Sequence, residues 1–418
     1  MNGPDVLIVG GGLAGLACGR ELARRGVAFR ILESADAVGG RVRTDLVDGF
    51  RLDRGFQIYL TAYPEGKRVL DLPALDLRPF TRGALVRFGG RFHRVADPRS
   101  EPLGAAAALL NPIGSPLDKL RLLGLYRAAR REPPDAPTAD RTTAAALAAA
   151  GVGPKLVERL FRPFLGGVFL ERELETSARF FRFVFRTFAE GPGAVPALGM
   201  QAIPNQLAAA LPVGSVRLGA RVRAVRRDGV TLEDGEALGA RAVVVATEGP
   251  AAARLLGAEV SDLGSNGTVT LYYAARVPPV TEPILVLDGE GRGPVNNVVV
   301  MSNAAREYAP PGRALVAASV VGVPPDAPDE LDRRARAQLV EWFGPGAREW
   351  TLLRQYRIPH ALPAQAVGRL DPWQRPVRLR AGLYVCGDHR DNASIDGALT
   401  SGRRAAEVVA ADLVKETD

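Results

Sequence analysis

The chain has 418 residues, 47% hydrophobic and 24% charged, with 54 basic against 46 acidic side chains and a formal net charge of +8. This is the composition of a globular protein long enough to bury a sizeable core and divide it into two domains, not of a disordered or fibrous chain. Only four of the basic residues are lysines (Lys67, Lys119, Lys155, Lys415), and the arginines are scattered without aromatic interleaving, which argues against a nucleic-acid partner.

In chain order, "DVLIVG" reads as a buried apolar strand that runs straight into glycines, unlike a signal peptide. No apolar run approaches the roughly 20 residues of a membrane-spanning helix. Gly10-x-Gly12-x-x-Gly15, with Leu13 and Ala14 between the last two glycines, then opens a helix through Arg25. Glycines at this spacing permit a tight turn and close approach of backbone amides to a pyrophosphate, with the positive end of the helix dipole facing the phosphates. "AFRILE" is a second strand ending on Glu33, with Ser34 after it; this acid is placed to accept hydrogen bonds from a ribose diol and would repel a 2′-phosphate. The loop, helix and acid together leave NAD and FAD both open.

Gly39, Gly40 and Arg41 follow shortly after. A second glycine pair with an arginine suits a flavin nucleotide better than a nicotinamide one, since there is more diphosphate and ribityl surface to cover and charge to neutralise. Residues 45–95 alternate apolar runs with turns, as antiparallel strands do, whereas about 101–211 is helical in pattern, including "LGAAAALL" and "LDKLRLLGLYRAARR". Four strands are expected between 216 and 247 and further strands over about 266–323. Helices are expected at 329–343 and 397–414, the latter after the loop "GDHRDNASIDGA". This order predicts an α/β fold of interleaved domains: a doubly wound Rossmann-type domain from 1–80, 213–260 and 375–418, and an inserted mixed α+β domain from 81–212 and 261–374.

"GFRLDRGFQIYL" completes a set of motifs that resembles the flavin-dependent amine oxidase superfamily, which includes protoporphyrinogen oxidases and phytoene-type carotenoid desaturases. The resemblance implies that Glu33, Gly39-Gly40-Arg41 and Asp53-Arg54-Gly55, continuing through Phe56 and Gln57, form one FAD-binding segment. It implies that the backbone of Val222 contacts the adenine and that the chain's end folds back onto its beginning. Gly387-Asp388 would meet the ribityl–phosphate portion, and the helix opened by Ser394, Ile395, Asp396 and Ala398 would point its amides at the pyrimidine edge of the flavin. Cys18 and Cys386 are the sole cysteines, which excludes a disulfide framework and favours a reducing cytoplasm. Neither stands where a covalent flavin link is evident, so FAD is expected to be noncovalent.

The substrate is read from departures and composition. The family's amine oxidases place an aromatic wall at the position of Ser394 and a lysine near the reacting flavin atom, but residues 266–320 contain no lysine. Eight phenylalanines fall between 161 and 188. Most read as a helical core, but Phe181, Phe183 and Phe185 alternate with Arg182 and Arg186, as an aromatic channel or interfacial surface would. The expected activity is therefore hydride removal from an apolar, isoprenoid-like or polycyclic molecule. The alternatives are oxidation of an amine to an imine, and a non-catalytic escort of prenylated proteins. "GEGRGP" at 289–294 lacks the strand and helix of a second dinucleotide site, so oxygen, a quinone or another carrier is the expected electron acceptor. His389 is the one histidine near the expected flavin and the only candidate for acid–base work; no metal spacing is present. Residues 117–131 read as a solvated surface helix packed by its leucines, with peripheral membrane contact as the alternative.

Overall fold

A computed structural model describes residues 4–96, 111–131, 139–226 and 228–415. "LGAAAALL" lies outside them, as do the side chains of Lys119, Leu120 and Leu123.

Six strands form the first sheet, in the spatial order Val216–Arg217, Phe29–Leu32, Val6–Val9, Ala242–Val245, Leu383–Val385 and Arg378–Arg380. All neighbours are parallel except the last pair. The first strand is apolar throughout because both its faces are covered. Val6 and Ile8 point to the core shared with the helices Leu13–Arg24 and Ile395–Lys415. Leu7 and Val9 point the other way, to Val230, Leu232 and Leu256. The second face is thus covered by an antiparallel three-stranded sheet over 222–239 and the helix Gly249–Leu256. The expected α/β Rossmann architecture is present, built from both chain ends and the middle.

The second sheet has seven strands, in the order Thr351–Pro363, Ser265–Ala275, Ala314–Val321, Asn297–Val300, Leu285–Asp288, Gly83–Phe88 and Arg91–Ala96. Val269, Leu271 and Tyr273 face the helix Pro328–Phe343, while Tyr272 and Ala274 face the core shared with the first domain. Alternation along one strand therefore assigns one side of the sheet to support and the other to the inter-domain space. A small sheet of Tyr59–Leu60, Gly193–Pro196 and Leu77–Pro79 ties the early chain to the helical region.

Two elements depart from the sequence reading. Thr351–Pro363, to which the sequence patterns assign no element, is a strand of 13 residues. It lies at the sheet's edge, where Pro359 can lack an N–H without breaking a central ladder. The C-terminal helix begins at Ile395 rather than 397, because the Ser394 hydroxyl accepts the Gly397 N–H at 3.0 Å and caps it.

Candidate active site

The glycine loop closes around one contact. A β-carbon on Gly15 would lie 2.0 Å from the Gly10 carbonyl oxygen, so only glycine lets the helix start directly over the turn. Gly12 stands at the helix N-terminus without any side-chain cap, and a β-carbon there would meet nothing within 4 Å. The first-turn amides have no intrahelical acceptor, and the space beside the Gly12 α-carbon is open. Leu13 and Ala14 are buried, leaving their backbone for any ligand. Gly39 donates its N–H to the Gly11 carbonyl at 2.8 Å, and Gly40 stacks over Gly12, so the second glycine pair forms a wall of the same loop.

Glu33 is buried and accepts the N–H groups of Gly11 at 2.6 Å and Ala35 at 2.8 Å, with the Ser34 hydroxyl at 3.3 Å. Its carbonyl accepts the Ala220 N–H at 2.8 Å, which brings the segment leading to Val222 alongside the acid. Val222 opens the outer three-stranded sheet at an irregular register step. Arg41 joins three parts of the chain: its guanidinium donates to Asp388 Oδ2 at 2.7 Å and to the Ala361 carbonyl at 2.7 Å. Gln57 donates to the carbonyls of Arg41 and Arg54, and the Phe56 N–H donates to Thr270 Oγ1 at 3.1 Å. Gly55 lies against Ile358. Residues 55–57 are thus held beneath the inward face of the seven-stranded sheet.

Two acids of these motifs have structural tasks. Asp53 accepts from Thr44 Oγ1, the Met200 N–H and Tyr308 OH, using both oxygens, and burial pushes its carboxyl up to about 6. Asp396 turns away from the loop and accepts the N–H groups of Glu65 and Gly66 at the start of the helix Pro64–Val69. At the start of the C-terminal helix the Gly397 N–H bonds to Ser394 Oγ and the Ala398 N–H to the Ser394 carbonyl, which leaves the amides of Ile395 and Asp396 without an intrahelical acceptor. Nothing in the local pattern announced that Asp396 would cap another helix.

The phenylalanines mostly form core. Phe181 packs on Phe161 and Phe185, Phe164 on Phe188, and Phe169 on Phe180. On the helix Ala178–Glu190 the alternation with arginine vanishes, because residues three and four apart share a face. Phe183 is different: it lies between Tyr63 and Trp373 and lines a cavity of about 290 Å³ with Glu65, Asp391 and Asn392. The sequence reading had not singled out Trp373, Thr270 or Asp391. Both thiols are buried, with Cys386 pushed up to about 12 by desolvation. Among the described residues no helix is long and apolar enough to cross a membrane, and no group of three or more His, Cys, Asp or Glu could hold a metal.

The sequence profile described as "Flavin containing amine oxidoreductase" matches residues 13–410. The chain belongs to this family. It is an FAD-dependent oxidoreductase, as the opening and closing motifs lead one to expect. A coproporphyrinogen III oxidase of Propionibacterium freudenreichii subsp. freudenreichii is 25% identical over 97% of this chain and 92% of its own length. A carotenoid 3,4-desaturase of Haloarcula japonica is 43% identical over a short stretch, 14% of this chain and 12% of that protein. The solved structure of a putative protoporphyrinogen oxidase from Exiguobacterium sp. 255-15 shares the fold, with a TM-score of 0.75 at 20% identity over 99% of this chain and 100% of that one.

The residues present fit FAD. The uncapped amides at Gly12 and the Arg41 guanidinium suit a diphosphate, and Glu33 suits a ribose diol. Both ring nitrogens of His389 are buried without a hydrogen-bond partner, so the Gly387–His389 turn has polar capacity to spare.

Proposed function

We propose that this oxidoreductase oxidises or desaturates an apolar, isoprenoid-like or polycyclic small molecule. The observation that carries this reading is the character of the inward sheet face above residues 55–57. Thr270, Tyr272, Tyr356 and Ile358 lie on the two strands that cover the segment, and neither strand contains a lysine. Thr270 is engaged by the Phe56 N–H and Tyr356 OH by Asp45, so this wall orients and desolvates a substrate more than it exchanges protons with it. The names of the relative aligned over nearly the whole chain and of the desaturase support oxidation at carbon, since a porphyrinogen is polycyclic and a carotenoid isoprenoid.

FAD, when bound, would supply a two-electron acceptor for hydride leaving a substrate carbon. The chain's part is to hold it: glycine-loop amides and Arg41 for the diphosphate, Glu33 for the ribose, and the amides from Ile395 for the far edge. The acceptor that would take electrons from such a group is oxygen, a quinone or another carrier. In support, residues 289–294 make the turn between the paired strands Leu285–Asp288 and Asn297–Val300 and do not open a helix. A second reading, amine oxidation, is favoured by one feature: the cavity that places Glu65, Asp391 and Asp396 beside Phe183 and Trp373, since acids and aromatics together suit a cation.

The two readings separate in one anaerobic titration of the purified holoprotein, following the visible flavin absorbance against porphyrinogens, isoprenoids and aliphatic amines. Bleaching by an apolar compound is expected. Bleaching by amines alone would overturn the proposal in favour of the second reading.

A further inference from the structure

His389 is 5% exposed, yet neither Nδ1 nor Nε2 has a hydrogen-bond partner. Native proteins rarely leave a buried polar group unpaired, because its hydration is lost without replacement. The chain has also made room for this ring. Gly387 holds a φ of +145°, and a β-carbon there would lie 2.5 Å from Cε1 and 2.6 Å from Nδ1 of His389. The imidazole is therefore folded back over the residue-387 backbone, a position that any side chain at 387 would block. On its other side it packs against Gly249, where the helix Gly249–Leu256 starts. Arg41, Asp388, Glu248 and His360 line the same hollow. The Gly10 turn is close by: a β-carbon on Gly10 would touch the Ala246 carbonyl at 2.9 Å, at the end of the strand that leads to Gly249.

We infer that His389 is a direct contact of bound FAD, its ring nitrogens completing their hydrogen bonding on the cofactor where the first and last loops of the chain meet. The inference goes beyond the substrate reading and is independent of it; it rests on FAD lying along the Gly10–Gly15 loop and Gly387–Asp388. The ring enters as neutral imidazole, able to donate from one nitrogen and accept at the other. Burial pushes it down to about 4, opposed by Asp388 and reinforced by Arg390, Arg41 and Arg375.

The test follows FAD release from purified holoprotein on dilution, by recovery of flavin fluorescence, in wild type, His389→Leu, His389→Asn and Glu33→Ala. Leucine keeps the volume of the ring and loses both nitrogens; asparagine keeps a polar group and loses volume. A cofactor contact predicts release at least tenfold faster for His389→Leu, with His389→Asn within about threefold of wild type. Fast release from the asparagine variant with leucine near wild type would overturn the inference and make the ring a packing element. Unchanged release from both would overturn it too, assigning the nitrogens to water. Glu33→Ala reports separately on the loop: if it alone releases FAD faster, FAD lies where expected and only the His389 contact is wrong. If it matches wild type, the placement of FAD fails. Should His389→Leu not accumulate as folded protein, His389→Met makes the same comparison.

Discussion

Asp391 carries a carboxylate that folding has placed against its own preference. It is 3% exposed; Oδ1 accepts from the N–H and side-chain amide of Asn392, while Oδ2 has no hydrogen bond and lies 3.7 Å from Arg404 Nη1. Burial raises it to about 7, only partly opposed by the Asn392 N–H and Arg404. A carboxyl raised above its usual value, near 3.9, is favoured by folding in its protonated form. Its stability contribution is complete below pH about 4 and is lost as pH rises through about 7. Asp391→Asn imitates the protonated form. The variant should therefore match wild type below pH about 4 and exceed it at pH 8, the gap opening between about 4 and 7 by at most about 1.4 kcal/mol per pH unit. Urea unfolding at several pH values measures this; a gap that does not change with pH would show that Asp391 is ionised throughout. The sequence held no hint of this, since "HRDNAS" reads only as a short polar stretch of the closing loop and burial comes from elements distant in the chain.

Helix packing here depends on missing side chains. The helices Leu13–Arg24 and Ile395–Lys415 cross so closely that a β-carbon on Gly402 would stand 2.1 Å from the Ala14 carbonyl oxygen. Gly402→Ala must force the helices apart, at a cost of about 1–3 kcal/mol or more, and loosens FAD because the glycine loop rides on the first helix. Gly124→Ala provides the contrast. It lies within the helix Pro116–Arg131, where a β-carbon meets nothing within 4 Å, and alanine there should stabilise by about 1 kcal/mol. Thermal unfolding of both checks the pair; equal effects would contradict the packing argument. The glycine in "SGRRAAE" was legible as a residue but not as a contact, because its partner is at the opposite end of the chain. The phenylalanine segment teaches the converse. Alternation of Phe181, Phe183 and Phe185 with arginines looked unsuited to a buried helix, yet the arginines remain partly exposed at the helix margin while the rings go inward.

The closing helix completes the first domain. It covers the face of the sheet carrying Val6 and Ile8, with Leu399, Ala405, Ala406 and Val409 all fully buried. Asp396 on the same helix caps Pro64–Val69, and Arg403 pairs with Glu65 at 2.7 Å. A chain ending at Asn392 would expose that face and leave Glu65 without its cation. It is expected to lose cooperative thermal unfolding and FAD together, as monitored by near-ultraviolet circular dichroism and flavin content. Retention of a cooperative transition would mean that the helix is an accessory to the fold.

The nucleotide loop, the acid after the second strand, the Gly-Gly-Arg and the closing Gly-Asp were all readable in the amino-acid order, because each is a local solution to a local problem. A turn tight enough for phosphates requires glycine wherever it occurs, and a strand covered on both faces is apolar along its whole length. The seven-stranded sheet was legible in most of its strands for the same reason, though its edge strand Thr351–Pro363, which carries prolines that an edge tolerates, was not assigned. Other assignments came from contacts between distant segments. Asp53 and Asp396 serve as structural acceptors, Arg41 joins the closing loop to the edge strand of the seven-stranded sheet, and His389 is enclosed with its nitrogens unpaired. A carboxylate or imidazole looks the same in sequence whether it meets a ligand, an amide or water. Its role is set by what the fold brings within three ångströms and by how much water remains.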